Sequence, residues 1–255
     1  MIAPSFAANL DWLYTEHGYL DRVDAARADG FTAVELQQPH LHDIDALAAR
    51  LAGLRIVLIN APAGDWAAGE RGFAALAGKQ AEFREHTLRG LDLAARLGSP
   101  RLHLLSGLAE DGAETRATWL ANLGWAAEQA GAITLCVEPI NRRDMPGYFL
   151  HRQAQALELL AALGSPRVKL QLDLYHCRIA EGESLSHLQR ALDLSLLGHV
   201  QVAGVAGRHE PEANEYAAEL ALLAVQGWPG SIGLEYRPRA DTTAGLAWLR
   251  PPAAR

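Results

Sequence analysis

The chain has 255 residues, 49% of them hydrophobic, and a formal charge of −7 with histidine neutral. So much apolar material fills a sizeable core and excludes a disordered chain, while the acidic balance excludes a general nucleic-acid surface, which needs a basic face. Two cysteines, Cys136 and Cys177, make no disulfide framework and point to a reducing, cytoplasmic setting. The opening MIAPSFAANLDWLY lacks the basic region of a signal peptide, and no run is long and uncharged enough to span a bilayer.

Strand and helix patterns alternate from the start. Ile2–Ala8 reads as a strand, Tyr19–Asp29 as a helix stopped by Gly30, and Ala33–Leu36 as a short strand broken by one acid. Ile44–Ala52 is helical; Arg55–Asn60 is β-rich. A loop rich in Pro and Gly follows, then the amphipathic helix Ala81–Leu97, closed by Gly98. Further on come strand Arg101–Leu105, helix Thr115–Ala130, strand Thr134–Glu138 and helix Arg152–Leu163, closed by Gly164. Strand Val168–Asp173, helix Ser186–Leu197 closed by Gly198, strand His199–Ala203 and helix Tyr216–Gln226 follow. Strand Ser231–Glu235 and a short helix near Thr243–Leu249 end the pattern.

Eight βα units in about 250 residues favour one closed (β/α)₈ barrel over an open doubly wound sheet. No linker or composition shift divides the chain, so residues 1–251 read as one domain, with 252–255 as a loose tail. No G-x-G-x-x-G lies between the first strand and first helix, which argues against dinucleotide binding.

The active face of such a barrel lies at the C-terminal ends of its strands. Strand five ends on Glu138, strand six on Asp173 and strand eight on Glu235; strand seven carries Gln201. Three carboxylates crowded at one mouth repel one another unless a cation sits among them. Oxygen donors suit one divalent ion such as magnesium or manganese, with cobalt also compatible. His176 and Asp144 are candidate substrate contacts beside this group. Arg71, Arg142, Arg143 and Arg208 sit in loops on the same face, where arginine could bind a carboxylate. His103 reads as a hydrogen-bonded core histidine, and the two cysteines read as small core residues.

These residues carry a resemblance. NAPAGDWAAGERG (60–72), VEPIN (137–141), LDLYH (172–176), GHVQVA (198–203) and LEYRP (234–238) resemble the hydroxypyruvate isomerase family. That family belongs to the xylose-isomerase-like barrels, alongside ketose 3-epimerases. The resemblance implies that Glu138 and Glu235 are catalytic and bind metal, and that Asp173 and Gln201 complete the ligand set. It also implies substrate contacts from His176 and Arg208; Asn60 and Arg71, at the two ends of the 60–72 segment after strand three, are further candidate contacts. The implied reaction is metal-assisted isomerisation of a small anionic hydroxy-oxo acid, hydroxypyruvate to tartronate semialdehyde, without nucleic acid or membrane as partner. Gly204–Tyr216, GVAGRHEPEANEY, departs from the family pattern, replacing an acid and a histidine ahead of Arg208 with small residues. That segment shapes the substrate pocket, so a longer 2-oxo sugar acid of the 2-oxotetronate type and a ketose 3-epimerase are alternatives. A sugar-acid binding protein is the non-enzymatic one, and a barrel endonuclease would need histidine-rich zinc sites. The oligomeric state, a homo-oligomer included, and which glutamate is acid or base stay open.

Overall fold

The computed structural model describes residues 5–249. The first strand's expected start at Ile2, the domain end at 251 and the tail 252–255 lie outside the described residues. Eight parallel strands close into a barrel in chain order, β1 to β8, with β1 pairing β8. The strands are β1 Ser5–Asn9, β2 Ala33–Leu36, β3 Arg55–Asn60, β4 Arg101–His103, β5 Thr134–Val137, β6 Val168–Asp173, β7 Leu197–Val202 and β8 Ser231–Leu234. Helices α1 Tyr19–Ala28, α2 Ile44–Arg50, α3 Gln80–Leu97, α4 Ala113–Gln129, α5 Gln153–Leu163, α6 Leu174–Glu181, α7 Leu185–Asp193, α8 Ala217–Val225 and α9 Thr242–Gly245 surround them. Among the described residues no helix is long and apolar enough to cross a membrane.

The strands are short apolar runs because both faces are covered: inward by the barrel core, outward by helices. β2, β5 and β8 are buried almost throughout. The helices stop where local chemistry stops them. Gly98, at φ 69°, takes the left-handed conformation that ends α3 and lets its amide satisfy Ala94 O and Ala95 O. Asp43 caps α2 by accepting from the amides of Asp45 and Ala46.

The largest departures from the sequence pattern are at α7 and α6, besides shifts of a residue or two at other bounds such as the end of β4 at His103. α7 ends at Asp193, not at Gly198; the chain turns at Leu194–Ser195, and Leu197 already pairs with Leu170 of β6. Sheet pairing thus claims residues that the helical spacing would have extended. α6 was not expected, because it starts without any break from β6: Asp173 ends the strand and caps the helix, accepting from Tyr175 N at 2.7 Å and His176 N at 3.3 Å.

Candidate active site

β5, β6 and β8 deliver Glu138, Asp173 and Glu235 to the same end of the barrel, and all three are almost fully buried. The capping bond consumes Asp173 Oδ1. Asp173 Oδ2 and Glu138 Oε1 have no hydrogen-bond partner. His176, the third residue past Asp173, places Nε2 at 3.9 Å from Glu138 Oε1 and 3.8 Å from Asp173 Oδ2. Asn141 donates to His176 Nδ1 at 2.6 Å, so the neutral ring carries its proton on Nε2, facing the two acids. Burial and the nearby Arg208 and Arg143 hold the His176 pKa well below its usual value, which keeps it neutral.

Arg208 is the cation of this mouth. Its Nη2 donates to Glu235 Oε1 and lies 3.8 Å from Asp173 Oδ2; its Nη1 lies 3.8 Å from Asp144 Oδ2. The guanidinium stacks 4.2 Å from the ring centre of Trp12 and 5.0 Å from that of Tyr175. Its backbone is left-handed, at φ 56°, within the short Gly204–Arg208 turn closed by the bonds Gly204 N to His209 O and Arg208 N to Gly204 O. A non-glycine residue in that region is strained and needs its surroundings to hold it.

One Arg does not neutralise three buried acids. Burial first, then the charges of Glu235 and Asp173, push the Glu138 pKa well above its usual value. Burial pushes Glu235 up to about 8 and Asp173 up to about 6, with Arg208 opposing both. These carboxyls are therefore basic near neutral pH.

A second polar layer lies beneath the acids, inside the barrel. Glu35 of β2 is bonded by His199 Nε2, by Gln201 Nε2 at 2.8 Å and by Asn9 Nδ2 at 3.2 Å. Gln201 also donates to Glu235 Oε2 at 2.7 Å, and its Oε1 accepts from Gln171 Nε2 at 2.7 Å. Gln171 reaches Glu138 Oε2 at 3.1 Å. Gly233 makes room for this layer: a Cβ there would lie 2.0 Å from Glu35 Oε1. Gln201 thus orients Glu235 from below, Gln171 orients Glu138, and the Gln201 carbonyl oxygen accepts from Gln171.

His103 differs from expectation. It is buried, yet neither ring nitrogen has a partner, and Nε2 lies 3.7 Å from Glu138 Oε2 on the cavity wall. Desolvation lowers its pKa to about 3, so it is a neutral, unspent donor or acceptor facing the cavity. Arg71 also differs. It stacks on Trp66, 4.1 Å from the ring centre, and bonds the carbonyls of Trp66 and Glu70, so it shapes the loop and does not line the cavity. Asn60 and Asp144 both line it; Asp144 accepts from Tyr175 Oη at 2.7 Å. Arg142 is tied to Tyr148 O, and Arg143 to Tyr175 Oη.

The cavity above the acids holds about 560 Å³ and continues into a second lobe of about 570 Å³. Trp12, Gln37, Asn60, Trp66 and Arg237 border both lobes. Trp12, Gln37, Trp66, Tyr175 and the Glu35 layer were missed in the sequence. One clue was present: the acid interrupting the apolar strand Ala33–Leu36 is Glu35 itself.

The donor set fits a divalent cation. Glu138 Oε1 and Asp173 Oδ2, buried without a partner, are its free donors; Glu138, Asp173 and His176 lie within 4.8 Å of one another as a group that could hold a metal ion, His176 Nε2 giving up its proton if it binds. A buried, unpartnered carboxylate oxygen is costly, and a cation relieves that cost.

An eight-stranded parallel barrel with carboxylates gathered at the C-terminal ends of its strands defines a class of barrel enzymes with acidic mouths. Residues 23–251 match the family model described as xylose isomerase-like TIM barrel, and the chain belongs to that family. It is 49% identical to 2-oxo-tetronate isomerase of Cupriavidus necator, covering 97% of this chain and 98% of that one. It is 36% identical to hydroxypyruvate isomerase of Escherichia coli, covering 96% and 98%. A solved structure from Brucella melitensis, titled AP endonuclease, family 2, is 40% identical with a TM-score of 0.91, covering 96% and 98%.

Proposed function

We propose that this protein isomerises a short hydroxy-oxo acid, moving its carbonyl to the neighbouring carbon, with Glu138 and Glu235 as the proton-transfer pair. The observation that carries this reading is the gathering of Glu138, Asp173 and Glu235 around one arginine at a single mouth. The names of the Cupriavidus and Escherichia relatives point the same way.

Glu138 and Glu235 stand on strands three places apart in a closed barrel of eight, so they flank a substrate from different sides. One takes the proton from the hydroxyl-bearing carbon and the other returns it to the adjacent carbon. Burial supplies the basicity that a carboxylate lacks in water. A divalent ion such as magnesium, manganese or cobalt, held by Glu138, Asp173 and Glu235, and by Gln201 once its carbonyl oxygen is released from Gln171, would act as a Lewis acid toward the carbonyl oxygen. His176 Nε2 donates to a substrate oxygen, and Asn141 fixes its ring. Arg208 turns from Glu235 to the substrate carboxylate, while Trp12 and Tyr175 hold its plane. Asp144 and Asn60 take hydroxyl groups, and Arg71 acts through Trp66.

Hydroxypyruvate to tartronate semialdehyde is the first reading. A four-carbon 2-oxotetronate is the second, to which the name of the Cupriavidus relative points. The Brucella title suggests a nuclease, but the ligand group at the mouth holds one histidine, and the chain's charge is −7. Both thiols are free and buried, which supports a cytoplasmic setting. The test is turnover by purified protein with added manganese or magnesium, followed by proton NMR, on hydroxypyruvate, 2-oxotetronate and free ketoses. Turnover of the acids is expected; equal turnover of a neutral ketose would remove the acid-specific reading.

A further inference from the structure

The corner between α6 and α7 gathers a second set of metal-type donors, separate from the mouth. Cys177 and Glu181 stand four residues apart on α6 and so share one helical face. Gly182, at φ 85°, caps α6 in the left-handed conformation and reverses the chain. The reversal brings His187, in the first turn of α7, back over that face. Ligand atoms of Cys177, Glu181 and His187 all lie within 4.8 Å of one another. His187 Nε2 is 3.3 Å from Glu181 Oε2 and 3.4 Å from Glu183 Oε1. Two donors bound about 2.0–2.1 Å from one tetrahedral zinc lie roughly 3.3–3.4 Å apart, so the His187–Glu181 spacing is that of neighbouring ligands on one ion.

The two oxygens of Glu181 face different ways. Oε1 accepts from Gln153 N at 2.5 Å, at the start of α5, and Oε2 faces His187. Cys177 is buried and its thiol donates to Glu183 O at 3.2 Å, so its sulfur already points into the corner.

We propose that Cys177, Glu181 and His187, with a solvent oxygen in the fourth position, form a zinc-type site that ties α5, α6 and α7 together. A sulfur, a ring nitrogen and a carboxylate oxygen suit a borderline-soft ion, whereas the oxygen-rich mouth suits a hard one. On binding, the Cys177 thiol releases its proton to solvent, and its bond to Glu183 O is exchanged for a bond to the metal. α6 is capped by Asp173 and carries His176, so an ion at this corner stiffens one wall of the mouth without touching substrate.

The test uses the whole metal-free protein titrated with cobalt(II), which gives a near-ultraviolet charge-transfer band only when a thiolate binds it. The expected result is a thiolate band that saturates, is displaced by zinc and is absent in Cys177→Ser. The band should persist in Cys136→Ser and in Glu235→Gln, which alters only the mouth. His187→Ala should weaken cobalt binding by more than about tenfold, since even outer-shell losses cost that much. Absence of any thiolate band, or a band that survives Cys177→Ser, overturns the proposal. If Cys177→Ser does not fold, His187→Ala decides, and undiminished affinity in that variant overturns it equally.

Discussion

The two halves of the barrel mouth are built on different chemistry. β5 to β8 and the turns after them bring Glu138, Asp173, His176 and Glu235, whose pKa values burial moves, and Arg208, which the acids hold charged against burial. β1 to β4 and their loops bring Trp12, Gln37, Asn60, Trp66 and the neutral His103. The first half should respond to exchanging a single atom, because charge in a buried site is expensive and specific. The second should respond to shape, because rings and amides set what fits and where.

The largest expected effect tests the charged half. Glu138→Gln or Glu235→Gln should lower kcat by roughly 10²–10⁴-fold, the usual loss on removing a general acid or base. Circular dichroism should still report a folded barrel, since the exchange keeps volume and shape. Near-normal turnover with metal present would take that residue out of proton transfer.

Next comes the arginine that spans the acids. Arg208→Ala should cost about 1.5–3 kcal/mol in binding of an oxo acid, or roughly ten- to a hundredfold in KM. An equal loss on an uncharged ketose would mean that Arg208 only balances the acids and does not hold a substrate carboxylate.

The neutral half should give smaller, different losses. Arg71→Ala removes an exposed stack on Trp66 worth about 0.5–1 kcal/mol. It should raise KM only about two- to fivefold with kcat nearly constant, which steady-state kinetics would read directly. A fall in kcat as large as that from Glu138→Gln would erase the distinction between the halves.

The smallest effect is one of stability, and its sign depends on pH. In metal-free protein the folded Glu235 pKa is raised from 4.5 to about 8. A carboxyl raised on folding binds its proton more tightly in the folded state. Its contribution to stability is complete below about 4.5 and is lost as pH rises through about 8. Glu235→Gln, which cannot ionise, should therefore melt a few degrees higher than the parent at pH 8. At pH 4.5 the two should melt together, and added metal should shrink the gap at pH 8. A lower melting temperature for the variant in metal-free protein at pH 8 would contradict the cost that burial places on the ionised Glu235.

Much of this arrangement was legible in the chain. Periodicity and Gly stops set the barrel and most of its element bounds, because a strand covered on both faces must be apolar and a helix must end where its carbonyls find partners. The positions of Glu138, Asp173 and Glu235 followed from the rule that barrel chemistry sits at strand ends. Other features needed the third dimension. The Glu35–His199–Gln201 layer joins strands β2 and β7, far apart in sequence, and only closure of the barrel brings them together. Arg71 and Arg208 look alike in sequence, each in a loop on the active face. The ring of Trp66 takes up the first and the left-handed turn at Gly204–Arg208 aims the second, and which arginine meets the acids is a matter of backbone direction that residue type does not encode.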